Sequence, residues 1–131
     1  MIAVDTNLWA RAILGDDPRQ SPAARQAIAE AAAGPGIFVP VLVFVELAWI
    51  LKSAPDWGSV RIQQALERLL NMEGVEVEAA VTVRAALDLS TGSVGLVDNL
   101  VSQLARERGC TKLLTLDARF AKTGRAILLK T

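Results

Sequence analysis

The sequence predicts an α/β protein whose short strands form a mostly parallel sheet with helices on both faces. Short apolar runs alternate with longer segments of helical periodicity, which is the pattern of repeated strand–helix units. Apolar residues make up 52% of the 131 residues, enough to bury a core, and the 21% of charged residues argues against disorder. Because this length fits one domain, we expect a single domain over residues 1–131.

The first half of the chain alternates strands with helices that proline and glycine delimit. Thr6 and Asn7 are suited to cap the first helix, because their side chains accept hydrogen bonds from free backbone N–H groups. Pro40 fits the first turn of a helix, and Gly34 and Gly36 end the preceding one. The predicted elements are strands over residues 2–4 and 37–39 and helices over residues 6–14, 21–33, 40–52 and 60–72.

The second half of the chain follows the same pattern. An apolar stripe at helical spacing runs along the segment after residue 95 and consists of Leu96, Val97, Leu100, Val101 and Leu104. Gly109 is suited to end that helix, since glycine readily adopts the left-handed conformation of helix C-termini. The predicted elements are strands over residues 75–77, 113–116 and 127–129, the second of them buried, and helices over residues 81–89 and 96–108.

The residue types that are missing narrow the chemistry. The sequence has no histidine, which excludes Ser-His-Asp hydrolysis, acid–base catalysis by histidine and histidine-ligated zinc. The single cysteine, Cys110, rules out an internal disulfide, fits a reducing cytosol and is expected to be a small core residue. The most apolar stretch, residues 37–51, is too short and too interrupted to span a bilayer. We therefore expect a cytoplasmic protein without a membrane segment.

Charge is balanced overall but uneven along the chain. Lys plus Arg and Asp plus Glu each number 14, so net charge gives no indication of nucleic-acid binding. Residues 106–131 nevertheless hold seven basic and two acidic residues. This quarter of the chain is either an ordinary solvated surface or a face for a polyanion, and the sequence leaves both readings open.

Four carboxylates stand out by their position in the predicted elements. Asp5 and Asp117 each follow a predicted strand, and in open parallel sheets ligands bind at the carboxyl ends of strands. Glu46 is the only charged residue between residues 37 and 51, in a nearly all-apolar helix, so we expect it to be buried. Asp98 lies in the first turn of a helix, where the helix dipole favours a carboxylate. Each acid also has a structural explanation: a cap or turn, a salt bridge, or the dipole itself.

Two strand-end acids and two helix acids can converge at one edge of a parallel sheet. Four carboxylates that close repel one another, and a hard divalent cation relieves that repulsion. Ligation by oxygen alone suits Mg²⁺ or Mn²⁺ rather than zinc. From the residues alone we predict a carboxylate metal site suited to phosphoryl chemistry.

Four segments of the chain resemble the PIN-domain family, in particular the VapC-type toxins of toxin–antitoxin pairs. In chain order they are VDTN at 4–7, FVELAWIL at 44–51, GLVDNLVSQLARERGC at 95–110 and LLTLDARFAK at 113–122. None of them is specific alone, but the ordered set is, and it spans nearly the whole chain. The resemblance implies a PIN-like three-layer α/β/α fold with a short, mostly parallel central sheet. It also implies a metal-dependent ribonuclease that hydrolyses RNA phosphodiester bonds as the toxin of a type II pair.

The resemblance also assigns roles to individual residues. The implied catalytic acids, which would hold Mg²⁺ or Mn²⁺, are Asp5, Glu46, Asp98 and Asp117. The implied supporting residues, near water or substrate, are Thr6 and Asn99, the latter where the family often has a small residue. The implied RNA-binding residues are Arg119, Lys122 and Arg125. The implied protein partners are a second copy of the chain and a VapB-like antitoxin, with Trp49, Trp57 and residues 41–51 as candidate contacts or core residues.

Other classes fit the sequence less well. The main alternative is a non-catalytic PIN-fold binding or scaffold module, against which the complete set of four acids argues. A haloacid dehalogenase phosphatase also begins with an aspartate after its first strand, but it needs a second one two positions later, where this chain has Asn7. A response-regulator receiver needs an N-terminal acidic pair and a phosphorylated aspartate after a middle strand, and neither is present.

Overall fold

The computed structural model describes residues 1–91 and 94–131, which divide into two compact units, Met1–Ala80 and Val81–Thr131. The first unit holds β1 (Ile2–Ala3), α1 (Thr6–Leu14), α2 (Gln20–Ala33), β2 (Ile37–Val39), α3 (Val41–Ser53), α4 (Ser59–Leu70) and β3 (Val75–Val77). The second holds α5 (Ala80–Leu89), apart from its first residue, α6 (Leu96–Glu107), β4 (Leu114–Thr115), α7 (Ala118–Lys122) and β5 (Ile127–Leu128). The expected single domain over residues 1–131 stays a prediction.

All strand pairs within the two units are parallel, as the alternation of strands and helices predicted. In the first unit the order is β1-β2-β3, with Ile2 opposite Ile37 and Phe38 opposite Glu76. In the second unit β4 pairs with β5, with Leu114 opposite Ile127. The α/β class with a short parallel sheet is therefore confirmed. No helix within the described ranges is long and apolar enough to cross a membrane.

The helices of the first unit bury one face each against the sheet and one another. The largest fully buried side chains of this unit are Phe44, Ile37, Leu47, Leu51, Leu66 and Val39. Gly74 shows how closely the chain passes itself before β3, because a Cβ there would lie 2.1 Å from the carbonyl oxygen of Ala32. Its φ of +81° also favours glycine, so this turn admits no other residue without a shift.

The second unit has its own small apolar cluster. Burial in this unit differs from the sequence prediction at three places: the strand at 113–116, the apolar stripe of α6, and Cys110. Val94, Phe120 and Ala126 are buried together, with Leu113 packed against them. The predicted buried strand at 113–116 is only Leu114–Thr115, and Leu114 and Leu116 are 61% and 71% exposed.

The apolar stripe of α6 is also only partly buried. Val101 and Leu104 are exposed, whereas the polar residues Asn99 and Ser102 are buried. Cys110, expected in the core, is exposed because it follows the end of α6 rather than packing beneath β4.

Candidate active site

Asp5 follows β1 and begins the next helix. It is the N-cap of α1, with its Oδ1 accepting a hydrogen bond from the backbone N–H of Leu8 at 3.0 Å. The predicted cap, Thr6 or Asn7, is thus wrong by one or two positions, because Thr6 is already helical. Asp5 is exposed, and its Oδ2 accepts no hydrogen bond from the described residues. The residue therefore serves both as a cap and as a strand-end carboxylate open to a ligand.

Glu46 lies on the exposed face of α3, which corrects the expectation that it is buried. The buried face of the helix consists of Val43, Phe44, Leu47 and Leu51. Glu46 lies on the other face between Leu42 and Trp49, which are 61% and 63% exposed. A helix that is apolar all round does not reveal from its sequence which face is covered.

Thr6 ties Glu46 to the start of α1. Its side chain is buried, with 7% of the residue exposed, and its Oγ1 donates a hydrogen bond to Glu46 Oε1 at 2.6 Å. Because Thr6 directly follows Asp5, the same helix start holds both of the predicted catalytic acids that belong to the first unit. The salt-bridge explanation for Glu46 is not supported, since neither ion pair of the described chain includes it.

Asp98 and Asn99 lie at the start of α6, with different surroundings. Asp98 is half-buried in the first turn, and the N-cap, Gly95, supplies no side-chain hydrogen bond. Asn99 is fully buried: its Nδ2 donates to Ser90 Oγ at 3.3 Å, and its Oδ1 accepts from an Arg125 Nη2–H at 2.8 Å. The geometry thus gives Asn99 a part in holding Arg125 in place.

Asp117 repeats in the second unit what Asp5 does in the first. It follows β4, caps α7 and accepts backbone N–H bonds from Arg119 at 2.8 Å and Phe120 at 3.3 Å. The backbone N–H of Arg119, more than any other group, lowers the pKa of Asp117 below 3.8, and the Arg119 guanidinium at 3.6 Å adds to the effect. Asp117 is therefore ionised well below neutral pH.

The predicted RNA-binding cations do not share one setting. Arg119 and Lys122 are exposed on α7. Arg125 is half-buried and directed toward Asn99, with its Nε buried and without a partner among the described residues. Lys122 and Arg119, which pairs with Asp117 at 3.6 Å, are thus at the surface, whereas Arg125 is anchored by Asn99.

The donor chemistry fits a hard divalent cation, although the described ranges contain no cluster of three or more metal-binding side chains. Asp5 and Glu46 belong to the first unit, Asp98 and Asp117 to the second, and no group of three His, Cys, Asp or Glu side chains is placed to hold a metal within the described residues. All four donors are carboxylates, which suits Mg²⁺ or Mn²⁺ and not zinc. Convergence of the four acids stays a prediction.

Two residues that hydrogen-bond to α3 or to Asn99 were not singled out from the sequence. Glu78, after β3, accepts a hydrogen bond from the backbone N–H of Val41 at 2.9 Å and so caps α3, which Pro40 cannot do. Ser90 accepts the Nδ2–H of Asn99. Glu78 follows a predicted strand, as Asp5 does, so its position could have been noticed in the sequence. Nothing in the sequence pointed to Ser90, because its partner lies beyond the end of α5.

Comparison with known proteins gives three findings. The sequence model of the PIN domain matches residues 2–126, a range that includes all four acids. A "VapC ribonuclease" of Aquifex aeolicus (strain VF5) is 32% identical over 92 residues, which are 70% of this chain and 68% of the relative. A crystal structure of VapBC2 from Rickettsia felis bound to a DNA fragment from its promoter covers 98% of both chains, at 19% identity and a TM-score of 0.44.

Proposed function

The chain belongs to the PIN domain family, and from that premise we propose that it is a metal-dependent ribonuclease, the toxin of a type II toxin–antitoxin pair. The relative from Aquifex aeolicus, named a VapC ribonuclease, supports hydrolysis of RNA phosphodiester bonds as the reaction. The structural observation that best supports the proposal is the 2.6 Å hydrogen bond from Thr6 to Glu46. It orients an exposed carboxylate beside the start of α1, where Asp5 lies.

Four acids would carry the chemistry. The proposed catalytic residues, which would hold Mg²⁺ or Mn²⁺, are Asp5, Glu46, Asp98 and Asp117. A hard divalent cation, when bound, supplies charge neutralisation at the phosphate and a polarised water. Thr6 fixes the orientation of Glu46, and Asp98 lies in the first turn of α6, at the positive end of the helix dipole. The two strand-end aspartates are held by the N–H groups of the helices that they cap.

Arg119 and Lys122 are proposed to hold the RNA backbone. Both are exposed on α7, directly after Asp117, in a part of the chain with seven basic and two acidic residues over 106–131. Cations there neutralise phosphates and release counterions, which contributes affinity without sequence preference. Arg125 is proposed to bind RNA as well, from the position in which Asn99 holds it.

The proposed location is the cytoplasm, whose reducing conditions suit a lone cysteine. The proposed protein partners are a VapB-like antitoxin and a second copy of the chain. Trp49, 63% exposed on α3, is a candidate contact. Trp57, under the Arg61 guanidinium at 4.0 Å, lines a groove of about 520 Å³ on the first unit together with Trp9.

The test is a cleavage assay against total cellular RNA with mapping of the new ends, in Mg²⁺ or Mn²⁺. Wild type and Asp16→Asn, which removes an exposed carboxylate elsewhere, are expected to cut at the same positions. Asp98→Asn is expected to cut at none of them. An intact RNA pool with folded wild type in both metals would favour the non-catalytic scaffold instead.

A further inference from the structure

A basic groove of about 250 Å³ lies within the second unit, at the end of α6 and at the entrances to β4 and β5. It is lined by Arg106, Lys112 and Arg125 together with small or neutral residues, among them Ser102 and Thr111. None of the lining residues is acidic. The groove is therefore a concave surface with three cations and no carboxylate of its own.

Acceptors next to the groove in sequence already accept hydrogen bonds. Glu107, next to Arg106, accepts a hydrogen bond from the hydroxyl of Thr82. The last carbonyls of α6 are capped by the turn around Gly109, whose φ is +77°: the N–H of Cys110 donates to Ala105 O at 3.0 Å and that of Gly109 to Arg106 O at 3.0 Å. The last carbonyls of α6 are thus not left as free acceptors beside the groove.

The charge of Arg125 is the least compensated. Arg125 is half-buried, its Nη2–H donates to the neutral amide oxygen of Asn99, and its Nε lacks a partner among the described residues. Neither of the ion pairs in the described ranges involves Arg125, Arg106 or Lys112. A partly desolvated cation without a counter-charge is unfavourable, and an anion in the groove would supply that charge.

We propose that this groove binds a backbone phosphate of the RNA substrate, at a second anchoring point apart from the catalytic acids. The proposal rests on the proposed ribonuclease function. Arginine and lysine together suit phosphate, arginine through its paired donors and lysine as a mobile point charge. Asp98 lies in the first turn of α6 and Arg106 in the last, so the groove is about 12 Å further along the helix axis. The bound strand would continue from the cleavage site to this end of the unit.

The test compares RNA affinity and its salt dependence in the full-length chain. A fluorescent single-stranded RNA is titrated in EDTA, which prevents cleavage, over a range of KCl concentrations. The test protein is the double variant Arg106→Gln and Lys112→Gln, both exposed residues in the groove. The control is Arg108→Gln with Lys130→Gln, two exposed cations of the same region outside the groove. Thermal melts verify that both variants fold.

The groove variant is expected to bind on the order of ten-fold more weakly, and its slope of log affinity against log salt should flatten by roughly 1.4, about 0.7 for each lost contact. The control should keep the wild-type slope. Equal behaviour of the two variants would overturn the proposal. A second outcome would also overturn it: inorganic phosphate stabilises wild type but not the groove variant, while the two proteins bind RNA equally well. The groove would then bind free phosphate only. Failure of the ribonuclease function would appear separately, as wild type that binds RNA and leaves it intact in Mn²⁺.

Discussion

Thr6 Oγ1 lies 2.6 Å from Glu46 Oε1, and this hydrogen bond joins residues 40 positions apart. The donor is buried and the acceptor is exposed, so a fixed group in the interior orients a carboxylate at the surface. The bond also links the start of α1, where Asp5 is the cap, to the middle of α3. Two of the four proposed catalytic acids therefore depend on the same helix start for their positions.

The first prediction concerns metal. Cleavage should be abolished by EDTA and restored by Mg²⁺ or Mn²⁺, because the proposed site consists of carboxylates and the chain has no histidine to act in their place. RNA cleavage is measured with and without chelator, and a thermal melt in EDTA checks that the protein stays folded. Undiminished cleavage in excess EDTA would contradict the metal mechanism.

The second prediction concerns the stability of α2 at acid pH. The backbone N–H groups of Gln20 and then Arg19 lower the pKa of Asp17 below 3.8, and the charge of Arg11 adds to the effect. Because the folded pKa is below the unfolded one, the carboxylate stabilises the fold at higher pH and loses that effect as the pH falls below about 3.8. Asp17→Asn should therefore melt below wild type at neutral pH, and the difference should shrink in acid.

The control for this prediction is Asp16→Asn. Asp16 pairs with Arg11 at 3.2 Å, but both side chains are about half exposed, so its removal should change the melting temperature little. Melting curves of the three proteins are recorded from neutral pH to about pH 3. A difference between wild type and Asp17→Asn that is the same at every pH would show that the ionised carboxyl of Asp17 is not what stabilises α2.

The elements of the fold were largely predictable because their signals are local. The apolar run Ile37–Val39 is a strand with those bounds, and α3 begins at Val41, one residue after the predicted start at Pro40, which is its N-cap. The alternation of valine with glutamate at residues 75–78, which is also a local pattern, predicted β3. Each of these patterns lies within a few residues of the element that it specifies.

Side-chain surroundings were less predictable because their causes are distant in sequence. Glu46 was expected to be buried, but α3 offers apolar residues on every side, and contacts from other elements decide which side is covered. Asn99 was expected near water or substrate; it is buried, and its Oδ1 accepts a hydrogen bond from Arg125, which is 26 residues away. The positions of Asp5 and Asp117 after strands were predictable, whereas their capping bonds required the exact helix starts.

The third prediction concerns Asn99. Asn99→Ala should lower the free energy of unfolding by about 1–3 kcal/mol, because it leaves the half-buried Arg125 guanidinium without its acceptor. Asn99→Asp should cost less, since a carboxylate still accepts from Arg125 and adds a charge opposite to it. The measurement is urea unfolding of both variants beside Gln103→Ala on the same helix. If the alanine and aspartate variants unfold alike, the bond to Arg125 contributes nothing to stability.

The fourth prediction separates the catalytic role of Glu46 from a structural one. Glu46→Gln keeps the size of the side chain and removes its charge. Neither ion pair of the described chain includes Glu46, so the change leaves no buried cation without a partner, and the free energy of unfolding should move by less than about 1 kcal/mol. Loss of half of a buried salt bridge would instead cost about 3–5 kcal/mol. Cleavage should be abolished, because the proposed site loses one of its four charges.

Variants of Thr6 complete the argument, since they leave the carboxylate of Glu46 in place and remove only what orients it. Thr6→Val keeps the shape of the buried side chain and deletes the hydroxyl that donates to Glu46. It should reduce cleavage by about 10–100-fold, the effect typical of groups that orient a metal ligand, while Thr6→Ser should restore most of the activity. Cleavage rates and thermal melts of all three variants are measured without and with Mn²⁺.

A strongly destabilised Glu46→Gln that still cuts RNA per folded molecule would refute the catalytic role of Glu46. Equal activity of the valine and serine variants would show that the hydrogen bond from Thr6 does not position Glu46 for the reaction.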